Sequence, residues 1–327
     1  MLSGANIRAA DSTLVAFRYV DSIATYPPVG LTNATDSIAA YLLRSCTTDM
    51  EKARAAFTWV AHHISYDDEA YNSGKHPDQS ATNVLKIHRA VCEGYANLYK
   101  SLCEAMGLDA VKISGYAKGY SYNDGDHFSK TNHAWNAVKV DGRWILLDAT
   151  WGSGVGDTEQ GKMVSHKRFM PYWFDVDKKE FLFRHFPEDP QWLLIKEALT
   201  LEQYEDMPRI REPLFMMSFS ASDILDKYLS KTLPNVLPRP FYSKHHVTLV
   251  DFPLTGVLAA GTQIDLTIIS DEDLILAISN NLKEKPVMMK RSGNRYTASL
   301  TLKRGDLHIA IAKEARHYSD IMQYKVK

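Results

Sequence analysis

The chain has 327 residues, of which 45% are hydrophobic, and its formal net charge at pH 7 is −1. This length suffices for two domains, and the apolar content can supply a core for each. A near-neutral chain without a basic stripe lacks the electrostatic footprint of a nucleic-acid-binding protein, and no apolar run approaches the ~18 residues of a membrane span.

The N-terminal segment and the cysteine count bear on the compartment. The start of the chain, MLSGANIRAADSTLVAF, lacks the basic residues and the apolar core of a signal peptide, so the chain as given is expected to be soluble. Its first four residues could also stand in front of the mature part of an exported protein, which leaves the compartment open. Three cysteines do not make a disulfide framework. The oligomeric state is left open as well.

Several helices are predicted before the central part of the chain. Residues 10–26 and 36–46 are expected to form two short helices, separated by the breaker Pro27-Pro28-Val29-Gly30. A stronger helix is predicted from Asp49, which can cap it, to Ile64, because its apolar residues recur at helical spacing. A further short helix is expected from Ser80 to His88.

The histidine pair on the third of these helices does not indicate a metal site. His62 and His63 are neighbours in the sequence, so on a helix their side chains point in different directions, which favours packing or surface roles. The chain contains no HExxH or CxxC motif. We therefore expect neither a metal ion nor a cofactor.

Cys92 lies in the first turn of the next predicted helix. From Cys92 to the stop at Gly107, apolar residues recur at three- and four-residue steps, at Tyr95, Leu98, Tyr99, Leu102 and Met106. Unpaired backbone N–H groups and the positive end of the helix dipole stabilise a thiolate in this position, so Cys92 is a candidate nucleophile. Cys103 lies ~16 Å further along the same helix, too far for a disulfide with Cys92. Cys103 and Cys46 are both predicted to be buried apolar residues, although pairing between these two is left open.

A β-hairpin is predicted further along the chain. Asp141-Gly142 is typical of a two-residue type I′ turn, and apolar-rich runs extend from it back to His133 and forward to Trp151. The register of such a turn places Trp135 opposite Asp148. His133 and Asp148 then lie diagonally on one face with Cα atoms ~7–8 Å apart, so the carboxylate can reach an imidazole nitrogen.

Three motifs in this region agree in order and type with a known family. They are Cys-x-Gly-x-Ala at residues 92–96, His-Ala-Trp-Asn at 133–136, and a Gly-Arg-Trp turn followed by Leu-Asp-Ala-Thr-Trp at 142–151. From Ala53 to about Trp151 the chain resembles the transglutaminase-like superfamily of papain-type thiol enzymes. The resemblance implies that Cys92 is the nucleophile, His133 the general base and acid, and Asp148 the residue that orients His133. It also implies an α+β catalytic domain in which helices pack on an antiparallel sheet.

An aromatic-rich segment follows from Met170 to Leu194, and its large side chains are expected to dock onto a core. This segment resembles the continuation of the superfamily branch that includes kyphoscoliosis peptidase and cytokinesis proteins. The shared features are a Tyr-Trp-Phe run, acidic residues after it, and a His-Phe-Pro-x-Asp-x-x-Trp run. That branch implies a β-rich module beyond this segment.

The C-terminal part of the chain is predicted to be all-β. Prolines 234, 238 and 240 mark residues 231–240 as a linker. Seven short strand-like runs follow, at Val247–Val250, Gln263–Ile269, Leu274–Ser279, Val287–Lys290, Tyr296–Leu302, Leu307–Ala312 and Ile321–Val326. This pattern favours an immunoglobulin-like sandwich over 241–327, after a transglutaminase-like domain over 1–230.

The leading functional hypothesis is a thiol enzyme that acts on a peptide or protein substrate. Cys92 would attack an amide carbonyl and His133 would protonate the leaving amine, after which water gives hydrolysis and an amine gives cross-linking. Hydrolysis is favoured, because the sequence indicates neither a pocket for a lysine side chain nor a calcium-binding loop. The alternative is a scaffold that binds protein partners through both domains while the three residues are idle. The intact Cys, His and Asp set favours the enzyme.

Overall fold

The computed structural model describes residues 10–280, 285–314 and 317–327. The chain divides into two compact units, the first ending at Arg209 and the second starting at Ile210. Residues 1–9, on which the question of an export signal partly depends, lie outside the described residues. Within the described ranges, no helix combines the length and the apolar character that a membrane crossing requires.

Nine helices are described in the first unit. They are α1 Ala10–Thr25, α2 Thr35–Leu43, α3 Asp49–His63, α4 Asp68–Ser73, α5 Ala81–Ile87, α6 Cys92–Ala105, α7 Ala149–Ser153, α8 Lys178–Leu182 and α9 Leu201–Asp206, with 3-10 turns at Pro171–Trp173 and Pro190–Leu193. The helices predicted before Gly107 are all present. The cap predicted for α3 is wrong by one residue. Thr48 is the N-cap, because its hydroxyl accepts the N–H of Glu51 while the Glu51 carboxylate accepts the N–H of Thr48.

A buried ion pair joins α1 to α3. The Asp21 carboxylate accepts two hydrogen bonds of 2.8 Å from Arg54, and a third of 2.6 Å from the Thr58 hydroxyl. Arg54 is only 2% exposed. Four aromatic rings surround its guanidinium group, those of Phe17, Phe57, Phe169 and Phe174. Asp21 therefore neutralises a charge that the surrounding rings shield from water.

The first unit also contains a five-stranded antiparallel sheet. Its strands are β3 Ala110–Ala117, β4 His133–Val140, β5 Arg143–Leu147, β8 Phe174–Val176 and β9 His185–Pro187, in the order β8-β5-β4-β3-β9. The short strands β1 Ser65–Tyr66 and β2 Arg89–Ala90 pair in parallel, and β6 Gly154–Glu159 pairs with β7 Lys162–Lys167. Helix α6 lies against this sheet, where the Asn136 amide on β4 donates to the carbonyl of Ala96 on α6. The predicted layering of helices on an antiparallel sheet is confirmed.

The hairpin of β4 and β5 has the predicted turn, but its second strand is shorter than predicted. Asp141 and Gly142 have φ values of 47° and 79°, as a type I′ turn requires. The register runs as predicted as far as Asn136 opposite Leu147. The prediction of a strand reaching Trp151, with Asp148 paired to Trp135, is wrong. Asp148 instead ends β5 and caps α7, because its Oδ1 accepts the Trp151 N–H at 3.0 Å.

The second unit has two short helices followed by an all-β region. The helices are α10 Glu212–Met216 and α11 Ala221–Leu229. The strands are β10 Arg239–Pro240, β11 Thr248–Val250, β12 Val257–Leu258, β13 Gln263–Ile269, β14 Ile275–Ser279, β15 Val287–Met288, β16 Lys290–Ser292, β17 Arg295–Thr301, β18 Gly305–Glu314 and β19 His317–Val326.

These strands form two sheets. One has the order β10-β19-β18-β14-β15, with β12 added to β19, and the other has the order β11-β13-β17-β16. Each of the seven predicted runs overlaps a strand. The immunoglobulin-like topology, the linker over 231–240 and the boundaries of the domains over 1–230 and 241–327 stay predictions.

Candidate active site

Cys92 is the first residue of α6, as the apolar spacing predicts. Val91 is the N-cap, and its own N–H donates to Oε1 of the buried Gln79 at 3.1 Å. Cys92 is half-buried and free. The thiol therefore lies among the unpaired N–H groups of the first helical turn, with a side still open to solvent.

Steric crowding requires a glycine at position 94, in the Cys-x-Gly motif. A Cβ at this position would lie 2.6 Å from the Ala90 Cβ, 2.6 Å from Oε1 of Gln79 and 2.9 Å from Cγ2 of Val84. Only glycine lets the first turn of α6 approach the segment before it this closely. The motif thus serves the packing that fixes the position of Cys92.

The three residues proposed from the sequence come together. His133 opens β4 and Asp148 follows β5, and Nε2 of His133 donates to Oδ2 of Asp148 at 2.7 Å. The Cys92 thiol lies close enough to His133 to raise the pKa of its imidazole. Asp148 is fully buried, and the His133 side chain is 8% exposed. The arrangement is a thiol beside an imidazole, which hydrogen-bonds to a buried carboxylate.

The charges of this set depend on one another. Burial by itself lowers the pKa of His133, but the Asp148 carboxylate and the Cys92 thiolate outweigh it and raise the pKa to about 10. Burial likewise raises the pKa of Asp148, but His133 and a second histidine, His185, outweigh it and hold the pKa below its ordinary range. The carboxylate therefore stays ionised at neutral pH and favours the imidazolium form of His133.

The two other cysteines are poorly suited to the same chemistry. Cys103 is completely buried, and burial raises the pKa of its thiol to about 12. Burial also raises the pKa of Cys46. Both are free, so the disulfide between them that the sequence left open is absent. Cys92 is the cysteine whose surroundings match those of a nucleophile.

His185 joins the site although no sequence motif assigns it a role there. It lies on β9, and its Nε2 reaches Oδ2 of Asp148 at 3.1 Å, the same oxygen that His133 contacts. His185 falls within the His-Phe-Pro run of the aromatic-rich segment, which was expected only to dock onto a core. The docking takes place, and it brings a polar group to the site.

His133, Asp148 and His185 form a group whose geometry could hold a metal ion, since their ligand atoms lie within 4.8 Å of one another. The same atoms, however, already hydrogen-bond to each other, and the carboxylate and the second imidazole are fully buried. Direct hydrogen bonding thus accounts for the short distances.

Comparison with known proteins shows which family part of the chain matches. Residues 36–149 match the family model of the transglutaminase-like superfamily. The chain carries a transglutaminase-like domain. Its α+β class, its helices on an antiparallel sheet and the resemblance seen in the sequence motifs are thereby confirmed.

Relatives of the transglutaminase-like domain belong to the expected branch. The chain is 33% identical to kyphoscoliosis peptidase of Mus musculus over 202 residues, which is 62% of the chain and 30% of that protein. It is 36% identical to kyphoscoliosis peptidase of Homo sapiens over 172 residues, 52% of the chain and 26% of that protein. It is 25% identical to cytokinesis protein 3 of Schizosaccharomyces pombe over 180 residues, 54% of the chain and 19% of that protein. The chain thus matches less than a third of the length of each relative.

Proposed function

We propose that the transglutaminase-like domain is a cysteine enzyme that transfers the acyl group of a peptide or protein substrate to water. The observation that carries the proposal is a half-buried thiol beside an imidazole that hydrogen-bonds to a buried carboxylate. In this proposal Cys92 is the nucleophile, His133 the general acid and base, and Asp148 the residue that orients His133.

The proposed reaction has two steps. The Cys92 thiolate attacks the carbonyl carbon, and the Cys92 backbone N–H, at the N-terminus of α6, stabilises the oxyanion together with a second donor. His133 gives its proton to the leaving nitrogen, so the C–N bond breaks and a thioester remains. The neutral imidazole then takes a proton from water, whose oxygen attacks the thioester. The products are the acid and the regenerated pair of thiolate and imidazolium.

Water is the proposed acyl acceptor, in preference to a lysine amine. The name of the mammalian relatives, peptidase, agrees with hydrolysis. The sequence also indicates neither a calcium-binding loop nor a pocket for a lysine side chain. Both acceptors would share the thioester, so the preference concerns only the second step.

The first experiment measures the rate of Cys92 alkylation by iodoacetamide between pH 5 and 9. The native chain is compared with His133→Ala, and Cys92→Ser gives the background from the other two cysteines. We expect fast alkylation at neutral pH that is lost without His133, because the imidazolium stabilises the thiolate. Equal rates in the native chain and His133→Ala would refute the proposed pair.

The second experiment identifies the acyl acceptor. Peptide mixtures are incubated with the native chain, with and without a fluorescent primary amine. We expect cleaved or deamidated peptides and little amine incorporation, whereas dominant amine incorporation would reverse the choice of acceptor. The Cys92→Ser variant serves as the control, since it retains the fold and lacks the nucleophile.

A scaffold that binds protein partners is the second candidate. Cytokinesis protein 3 has a name that refers to a cellular process and not to a reaction, which favours this alternative. In that case the Cys92→Ser variant would retain the whole biological activity of the chain, and no thioester would form with any substrate. Loss of activity in Cys92→Ser would support the enzyme.

A further inference from the structure

His185 lies within hydrogen-bonding distance of Asp148, one of the proposed catalytic residues. Strand β9 pairs with β3, which in turn pairs with β4, so His185 and His133 reach Asp148 from two strands of one sheet. Strand β3, which lies between β4 and β9, contains Gly115. A Cβ at this position would be 2.4 Å from the Trp135 ring and 2.3 Å from the carbonyl oxygen of Phe186. A glycine is needed at this position for β9 to approach this closely.

Aromatic rings enclose the His185 imidazole. The Phe181 ring stacks on it with centroids 4.0 Å apart and planes at 16°, and three tryptophan rings surround the remainder, those of Trp135, Trp151 and Trp173. His185 is 1% exposed. Burial lowers its pKa to about 4, because the hydrogen bond to Asp148 offsets only part of the desolvation. The ring is therefore neutral throughout the neutral pH range.

The hydrogen bond determines which nitrogen carries the proton. An ionised carboxylate only accepts hydrogen bonds, so the neutral ring of His185 must hold its proton on Nε2. Its Nδ1 is buried and has no hydrogen-bond partner among the described residues. A side chain selected only for packing would not carry a buried polar atom without a partner, since this costs stability.

The carboxylate of Asp148 has three donors. Oδ1 accepts the Trp151 N–H, and Oδ2 accepts both His133 and His185. Of the two imidazoles, His133 can exchange its proton with a substrate, whereas His185 is closed off by the rings. His185 can therefore hold the carboxylate in place without competing for the proton that the reaction uses.

We propose that His185 is a positioning residue, a buried Nε2–H donor that fixes the Asp148 carboxylate and thereby the orientation and charge of His133. This inference rests on the proposed function, because it assigns His185 a role in the same set. The pattern is two imidazoles on one carboxylate oxygen, one slightly exposed and charged, the other fully enclosed and neutral.

The test that does not depend on activity is 15N NMR of the native chain with labelled histidine. We expect the His185 resonances of a neutral ring with the proton on Nε2, unchanged from pH 5.5 to 8.5. The signal is assigned with His185→Phe, or by through-bond correlation if that variant does not fold. Titration of His185 within this range, or a proton on Nδ1, would overturn the inference even if Cys92 proves to be the nucleophile.

The second test compares two replacements in the Cys92 alkylation assay. His185→Phe keeps an aromatic ring and removes the donor, so we expect the rate at pH 7 to fall about 10-fold or more, the typical effect of losing a hydrogen bond to a charged group. His185→Gln keeps an N–H donor and should recover most of the rate. His62→Phe is the matched control, because His62 packs against Phe169 and belongs to no part of the site.

These outcomes separate the two proposals. If Cys92 reacts no faster in the native chain than in the His133→Ala variant, the proposed function is refuted. A reactive Cys92 whose rate and pH profile are the same in His185→Phe refutes the role of His185 alone. Equal losses in His185→Phe and His185→Gln, with the same pH profile as the native chain, would also refute it, since packing would then be the only role.

Discussion

Replacement of Asp148 by asparagine tests the central electrostatic interaction of the site. The side chain is fully buried, and its two oxygens accept three hydrogen bonds, from Trp151, His133 and His185. An amide has the same shape, but it has one acceptor oxygen and one NH2 group. In either orientation the NH2 group faces at least one N–H donor, and the negative charge is gone.

The expected loss of Cys92 reactivity can be worked out from these contacts. Loss of a hydrogen bond to a charged group costs about 1.5–3 kcal/mol. At about 1.4 kcal/mol for each factor of ten, the population of the reactive pair of imidazolium and thiolate falls about 10- to 100-fold. The direction of this effect agrees with the expected change in the pKa of His133. Burial already lowers that pKa, and without the carboxylate the opposing effect is reduced, so the pKa falls from about 10 toward or below its ordinary value.

The assay is the rate of iodoacetamide alkylation at Cys92, measured by mass spectrometry from pH 5 to 9. The control is Asp175→Asn, which removes the carboxylate of a surface pair with Arg143 and should leave the rate unchanged. An Asp148→Asn variant that is folded and reacts at the native rate, with the native pH profile, would refute the reasoning.

Three further predictions concern the charge of the site and the stability of the unit that carries it. In Cys92→Ser, 15N NMR should show a lower pKa of His133 than in the native chain, because the thiolate is one of the groups that raise it; an unchanged value would contradict the pairing. Gly94→Ala should lower the free energy of unfolding by about 1–3 kcal/mol in urea denaturation, because the added methyl group would lie within 3 Å of three buried side-chain atoms. Native-like stability would mean that these side chains move aside at no cost. Asp21→Ala should cost about 3–5 kcal/mol in the same measurement, since Arg54 is left buried without its counter-charge; a cost below ~1 kcal/mol would show that water reaches the guanidinium group.

The interaction of His133 with Cys92 and Asp148 also sets how stability depends on pH. The raised pKa of His133 means that the folded state holds a proton more tightly than the unfolded chain. This contribution is fully present below the ordinary histidine value of ~6.5 and is lost as the pH rises toward about 10. Within this site, loss of stability at acid pH comes from the Asp148 carboxylate, whose pKa is held low, and from His185, whose pKa burial lowers.

Local patterns in the sequence suffice for much of this architecture. A helix start is specified by nearby apolar spacing, which is why the spacing alone places Cys92 in a first turn. A type I′ turn is specified by two residues, so the register of the hairpin from Asp141-Gly142 is predicted correctly for most of its length. Both features depend on residues within a few positions of one another.

Other features depend on contacts between distant segments. The end of β5 is one example, because the carboxylate of Asp148 can either pair in a strand or cap a helix, and the neighbouring elements decide between the two. The need for glycine at position 115 is another, since it arises from the Trp135 ring and the Phe186 carbonyl, which meet β3 only in the folded chain.

His185 shows the difference most clearly. By itself the sequence proposed the thiol, the imidazole and the carboxylate, because each lies in a motif with a local structural meaning. Only the tertiary structure decided that a histidine 37 positions after Asp148 would share its carboxylate oxygen. The physical reason is that the aromatic rings around His185 come from several separate elements, and neither the low polarity of that enclosure nor the resulting neutral imidazole can be read from the residues beside it in the chain.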